Sequence, residues 1–179
     1  MQNTIQVEAT GEVVTFLKST NETNGEYVEI LVELKEGGKG PGPHIHHRQV
    51  ETYSVQEGRV GVLLGKEKIE LSAGQQLEIP AGTVHDYWSA DGKPIKFTAT
   101  IQPALNFEWM LREIFASCNR KGAAGPSPFD GSYVITKLRG EYSLADVPVF
   151  VQRYIFPVVA VLGKATGQIK ISSKPYVKY

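Results

Sequence analysis

Gly38-Lys-Gly-Pro-Gly-Pro-His44-Ile-His46-His-Arg-Gln-Val-Glu51-Thr-Tyr-Ser-Val-Gln-Glu-Gly58 decides how this chain is read. It holds three of the four histidines, directly after a loop of alternating Gly and Pro. His44 and His46 stand two apart, so on an extended strand both rings point to the same side. By the same period Glu51 would face the other way, and a bend between Arg48 and Val50 is required to bring its carboxylate back. His47 alternates outward. The fourth histidine, His85, must arrive from a neighbouring strand. Two imidazoles from one strand, a third from another and a carboxylate form a nitrogen and oxygen shell suited to Fe, Mn, Co, Ni, Cu or Zn.

A His-x-His pair beside a glycine-rich loop is by itself an ordinary surface feature. The framing residues distinguish this one. His-x-His follows Gly38 after five residues, Glu51 follows after four more, and Gly58 after a further six. Gly74-Gln-Gln-Leu-Glu-Ile-Pro80-Ala-Gly82-Thr-Val-His85-Asp-Tyr-Trp-Ser89 follows a segment of 15 residues, Arg59 to Ala73. The two blocks resemble the first and second motifs of the cupin superfamily, matching it at nine positions, with Ser89 where the family usually has Asn. The resemblance covers about Val28 to Ile101. It implies an all-β double-stranded β-helix, a jelly-roll barrel, in which His44, His46, Glu51 and His85 hold one divalent transition metal ion. Family structure would supply the bend that returns Glu51 to the shell.

Working outward, the first hundred residues read as short strands between Gly and Pro turns. Val28, Ile30, Val32 and Leu34 alternate with polar or intervening residues, the pattern of a half-buried strand. Tyr53 and Val55 share the parity of Glu51, and Tyr87 and Ser89 that of His85. Ile95, Phe97, Ala99 and Ile101 form one face of a strand, and if that face is inward the pocket is apolar. Gly58, Gly74 and Gly82 fall in turns where a positive φ is expected. Arg48 and Gln49 read as solvated residues or as a rim for an acidic substrate, and Asp86 points away from His85. Tyr87 reads either as a structural aromatic or as a cavity residue that offers a hydroxyl. Glu51 and Tyr87 are the candidate catalytic groups.

The period changes after Pro103. Phe107, Met110, Leu111, Ile114, Phe115 and Cys118 recur at three and four residues, one apolar stripe of a helix. Asn106 is the candidate cap, Glu108 and Arg112 stand in the favourable order for an ion pair, and the helix is expected to end near Lys121-Gly122. Gly122 to Ser132 reads as a loop. Leu144 to Val161 reads as one or two helices broken at Pro148 and Pro157. The apolar run Ile155 to Gly163 is expected to be buried against the body or in a subunit contact. The division is therefore a β-barrel domain over 1–102 and a helical extension over 103–179, packed on the barrel or at a dimer interface. Trp88 and Trp109 are expected between barrel and helices, or at that interface.

The 179 residues suit one domain with an appendage. Lys plus Arg and Asp plus Glu both number 19, a net charge of zero that argues against nucleic acid or an anionic membrane as partner. A single cysteine, Cys118, excludes an internal disulfide and Cys-pair zinc motifs. No signal peptide or membrane span is legible, since a span needs about 20 mostly apolar residues. A cytoplasmic homodimer acting on a small molecule is expected. The metal set has three uses: an oxidoreductase of dioxygenase type on a small chelating substrate; a non-redox isomerase, decarboxylase or lyase; or a non-catalytic binding module.

Overall fold

The computed structural model describes residues 3–171 and 173–177. Ten strands come first: β1 (Thr4–Val7), β2 (Glu12–Lys18), β3 (Val28–Leu34), β4 (His44–His46), β5 (Val50–Glu57), β6 (Arg59–Leu64), β7 (Glu67–Ser72), β8 (Gln76–Ile79), β9 (Val84–Ser89) and β10 (Ile95–Gln102). Helices α1 (Phe107–Lys121) and α2 (Pro128–Lys137), strand β11 (Tyr142–Leu144), a π-helical turn (Val151–Ile155) and helix α3 (Phe156–Ala165) follow. The strands form two antiparallel sheets, ordered β1-β2-β3-β10-β5-β8 and β11-β4-β9-β6-β7. This is a jelly-roll-type arrangement in which hairpins (β1-β2-β3, β6-β7) alternate with pairs far apart in sequence, such as β3-β10 and β4-β9.

Alternation builds the core. Val28, Ile30, Val32 and Leu34 of β3 are all buried, and they lie in register with Ile101, Ala99, Phe97 and Ile95 of β10. On its other side β10 pairs Phe97 with Val55, Ala99 with Tyr53 and Ile101 with Glu51. Phe97 lies in the middle, its ring 4.8 Å from that of Tyr53 and 5.1 Å from that of Tyr87 on the facing sheet. Truncating such a ring to Ala costs about 3–5 kcal/mol. Gly58 turns β5 into β6 with φ 77°, and a Cβ there would lie 2.5 Å from the Pro94 carbonyl. Only glycine fits that turn without strain.

The bend anticipated after His46 is a change of sheet. β4 ends at His46, β5 begins at Val50, and the two strands belong to opposite sheets. Glu51 thus reaches the histidines from across the gap, and strand parity does not govern it.

Helix α1 has the expected limits, closed by Gly122 in the left-handed conformation. Asn106 makes no side-chain cap; its amide bonds Glu141 and Val177 instead. Three further readings are corrected. The stretch read as a loop, Gly122 to Ser132, contains the first half of α2, started by Ser127, whose side chain accepts from the Asp130 N–H, with Pro128 in the first turn. Pro157 does not break the helix: helical structure runs on from 149 to 165, with the π-helical turn Val151–Ile155 just before the proline. The apolar run Ile155 to Gly163 is for the most part not buried against the body, which leaves only a subunit contact to cover it: Ile155, Val158, Val161 and Leu162 face outward, while Ala160 and Gly163 are buried. Small residues let α3 approach α2, since a Cβ on Gly163 would come within 2.8 Å of the Phe129 ring. Trp109 is buried, its Nε1 donating to Ser173 (2.9 Å). Trp88 lies on the outer face of β9, packed over Gly61.

Candidate metal centre

His44 and His46 project from β4 into the gap between the sheets, and β9 lies beside it with His85 opposite His44. Glu51, second residue of β5, enters from the other sheet. Its Oε2 lies 2.8 Å from His85 Nε2 and 3.8 Å from His46 Nε2. One ligand atom from each of the four residues lies within 4.8 Å of the others, and all four residues are buried.

The outer ring nitrogens fix the inner ones. Nδ1 of His44 is 2.8 Å from the Gly42 carbonyl, Nδ1 of His85 is 3.0 Å from the Thr83 carbonyl, and Nδ1 of His46 is 3.0 Å from Gln49 Oε1. The Gln49 amide is oriented by its own Nε2, which donates to the Ala104 carbonyl and to Glu141. All three oxygens only accept, so each Nδ1 carries the proton and donates. Each Nε2 is therefore left to offer a lone pair to the centre. His46 Nε2 is buried with no hydrogen-bond partner among the described residues. Leaving such an atom unmet costs about 1–3 kcal/mol. Three imidazole nitrogens and a carboxylate, one nitrogen unsatisfied, fit one divalent transition metal ion.

Electrostatics agree. Burial, reinforced by the charges of His85 and His46, holds the His44 pKa well below the ordinary imidazole value. Burial also lowers His46, against the attraction of Glu51. His85 goes the other way: burial opposes its charge, but the hydrogen bond and charge of Glu51 prevail and raise its pKa. Burial would push Glu51 up, yet the His85 hydrogen bond and the charges of His46 and His85 hold it below the usual carboxylate range. A cation at the centre would displace any proton shared between His85 Nε2 and Glu51 Oε2.

Support extends outward. Glu141 is buried, and its carboxylate accepts from the Asn106 N–H (2.8 Å) and side-chain amide (2.9 Å) as well as from Gln49. Tyr142 of β11, beside β4, stacks on His44 with ring centroids 5.3 Å apart and meets His46 edge-on at 5.2 Å. Gln49, read as a solvated or rim residue, is instead a buried link behind His46. Arg48 is exposed, as is His47, whose Nε2 bonds Ser143 (2.8 Å). Asp86 stays outside the cluster and accepts from the Gly42 N–H.

The centre opens on a cavity of about 1000 Å³. His44, His46 and Glu51 line one part of it. Its walls are apolar: Val32, Phe97 and Ala99 from one sheet, Phe107, Met110 and Phe115 from α1. Tyr87 lines it too, as expected, but its hydroxyl crosses to β2 and donates to Glu12. Glu12 is buried in the cavity wall, and burial, opposed by the Tyr87 bond and aided by Asp86, pushes its pKa up from 4.5 to about 7. Glu12, Glu141 and Tyr142 went unread in the sequence. Glu12 shares its inward parity with the buried Val14 and Phe16, a signal that was available.

Comparison with known proteins places these features. A cupin domain model matches residues 30–101. An oxidoreductase of Pestalotiopsis fici, iacF, is 31% identical over 109 residues, covering 54% of this chain and 52% of that protein. Quercetin 2,3-dioxygenase of Bacillus subtilis is 32% identical over 94 residues, covering 51% of this chain and 26% of that protein. The matches thus span about half of the first relative and a quarter of the second. The structure of KdgF from Halomonas sp. superposes with a TM-score of 0.48 at 22% identity, over 55% of this chain and 84% of that one. No helix among the described residues is long and apolar enough to cross a membrane.

Proposed function

The chain belongs to the cupin superfamily through residues 30–101, and from that premise we propose that it is a mononuclear metal-dependent oxidoreductase of dioxygenase type, acting on a small organic molecule that chelates through two oxygens. The observation that carries this reading is the opening of a complete three-His, one-Glu set onto a large apolar cavity. The names of the two curated relatives point the same way.

In this reading His44, His46 and His85 ligate through Nε2 and Glu51 through its carboxylate. When bound, the ion (Fe, Mn, Ni, Cu or Co for redox chemistry, Zn otherwise) supplies a Lewis acid for the substrate oxygens and a route for electrons to dioxygen. The protein does the rest. Glu51 Oε1 carries no hydrogen bond among the described residues and is placed to take the proton lost when a chelating hydroxyl ionises. Phe97, Phe107 and Phe115 exclude water and stack on an aromatic body. A non-redox reaction is the second reading, favoured by Glu12, a buried carboxyl in the same cavity.

The two sheets close as a double-stranded β-helix over 1–102, with 103–179 as its extension. Two copies meet through the exposed Phe150, Tyr154, Val158, Val161 and Leu162, and the protein acts in the cytoplasm without nucleic-acid or membrane partners. Elemental analysis of untagged protein beside the His44→Ala/His85→Ala variant tests the centre. About one metal ion per chain, lost in the variant, is expected; no metal in either after reconstitution would refute it. Oxygen uptake with catechols, flavonols and β-diketones tests the reaction, and turnover that persists without oxygen would move the assignment to non-redox chemistry.

A further inference from the structure

The cavity is larger than a chelating group alone requires, and its buried polarity is concentrated. Of the three carboxyl groups that line it, Glu36 is exposed, Glu51 belongs to the ligand set, and Glu12 stands apart. Glu12 forms no ion pair with a described residue, and its partner is the Tyr87 hydroxyl, donated across the gap between the sheets. Tyr87 lies two residues beyond His85 on β9, about 7 Å along the strand. Its ring is held on three sides. Tyr53 meets it edge-on at 6.0 Å, Phe97 at 5.1 Å, and Gly40 packs so closely that a Cβ there would lie 2.8 Å from the ring. A polar pair fixed this firmly, facing an apolar cavity, has hydrogen-bonding capacity to spare. One Glu12 oxygen and the acceptor lone pairs of the Tyr87 hydroxyl remain available.

We infer that Glu12 and Tyr87 form a second recognition point in the cavity, which hydrogen-bonds an uncharged hydroxyl at the far end of a chelating two-ring aromatic substrate. The inference rests on the proposed metal site, which would hold the other end. Phe97 and the aromatic side chains of α1 line the same cavity and suit a flat apolar body. Burial favours a hydroxyl over a charged group: an ammonium would enter apolar walls with few groups to solvate it. The raised pKa of Glu12 agrees, since the carboxyl holds its proton up to about neutrality and can donate as well as accept.

The test compares three ligands by calorimetry on the zinc-loaded full chain, where no oxidation intervenes: biphenyl-3,4-diol, its 4′-hydroxy derivative and its 4′-aminomethyl derivative. The 4′-hydroxy compound is expected to bind about tenfold more tightly than the diol, as one net hydrogen bond predicts, and the aminomethyl compound most weakly. In Glu12→Leu and, independently, Tyr87→Phe the preference for the 4′-hydroxyl should fall to about twofold or less, with diol binding serving as the check that each variant is folded. Zinc-dependent diol binding with no preference for the 4′-hydroxyl in wild type, or first rank for the aminomethyl compound, would overturn the inference and leave the metal site standing. Absence of any zinc-dependent binding would overturn the proposed site and this inference with it.

Discussion

Replacing Glu12 with Gln should change how the stability of the protein depends on pH. In the folded chain the Glu12 carboxyl is buried, and its pKa rises from 4.5 to about 7. Below pH 4.5 both folded and unfolded chains hold the proton, and Glu12 adds no pH dependence. Above it the unfolded chain ionises first, so stability falls as pH rises and levels off once the folded carboxyl ionises near 7. At about 1.4 kcal/mol for each pH unit, the gap amounts to about 3 kcal/mol lost between pH 4.5 and 8. Gln keeps a carbonyl oxygen to accept from Tyr87 but cannot ionise. Its amide hydrogens carry a desolvation cost of about 1–3 kcal/mol that is the same at every pH. The quantity to follow is therefore the difference between variant and wild type as pH changes. Urea unfolding followed by tryptophan fluorescence, with chelator present, should show Glu12→Gln gaining about 3 kcal/mol on wild type from pH 4.5 to 8, or roughly 6–12 °C in Tm. His85, Glu51 and Asp86 titrate in both proteins, and to the extent that distant sites add, they cancel. A difference that stays flat within about 0.5 kcal/mol would refute a buried, protonated Glu12.

Three other perturbations reach different parts of the structure. Gln49→Ala removes the acceptor of the His46 Nδ1–H; apo stability should fall by about 1–3 kcal/mol, and metal affinity, measured by competition with a chromogenic chelator, by about 10–100-fold. Gly40→Ala forces a methyl group against the Tyr87 ring; it should cost about 1–3 kcal/mol in urea melts, and a cost near zero would show that the ring is free to move. Val161→Asp with Leu162→Asp alters exposed positions of α3 and should leave monomer stability within about 0.5 kcal/mol. If two copies meet there, sedimentation equilibrium should show the wild type as a dimer and the variant as a monomer.

Residues whose neighbours in sequence are also their neighbours in space were legible. β3 and β10 keep a strict two-residue period because one face of each is core, and α1 keeps its stripe for the same reason. Gly122 ends that helix by the conformation its lack of a side chain allows. The four ligands were legible through the spacing of their motifs, yet the period of the strand placed Glu51 on the wrong face. The reason is tertiary: the chain changes sheets between His46 and Val50, which strand parity cannot register. Glu12 carried an inward parity, but its partner Tyr87 is 75 residues away. α2 announced itself in Ser127-Pro128, a cap followed by a proline suited to the first turn, although the glycines around it read as loop. Gly131 is tolerated inside that helix because its missing side chain makes room for the Pro126 ring, which a Cβ would approach to 3.3 Å. β11 has three residues, too few to show any period; it is a strand because β4 offers it an edge.

The segment after Gln102 therefore bears on the centre itself. β11 pairs with β4 and sets Tyr142 over His44, while Glu141, one residue earlier, anchors the Gln49 side chain that orients His46. α1 supplies one wall of the cavity, and Phe156 of α3 another part of it. The ligands come from residues 44–85, within the matched cupin domain, whereas much of the surface a substrate would touch comes from residues 107–156. A part of the cavity wall therefore lies outside the motif-bearing strands. In this chain that part is mostly aromatic and aliphatic, and the Glu12–Tyr87 pair faces the same cavity from β2 and β9. An ion held by the metal set would supply the chemistry, and the apolar wall with the Glu12–Tyr87 pair would, on the inference above, narrow which molecules reach it.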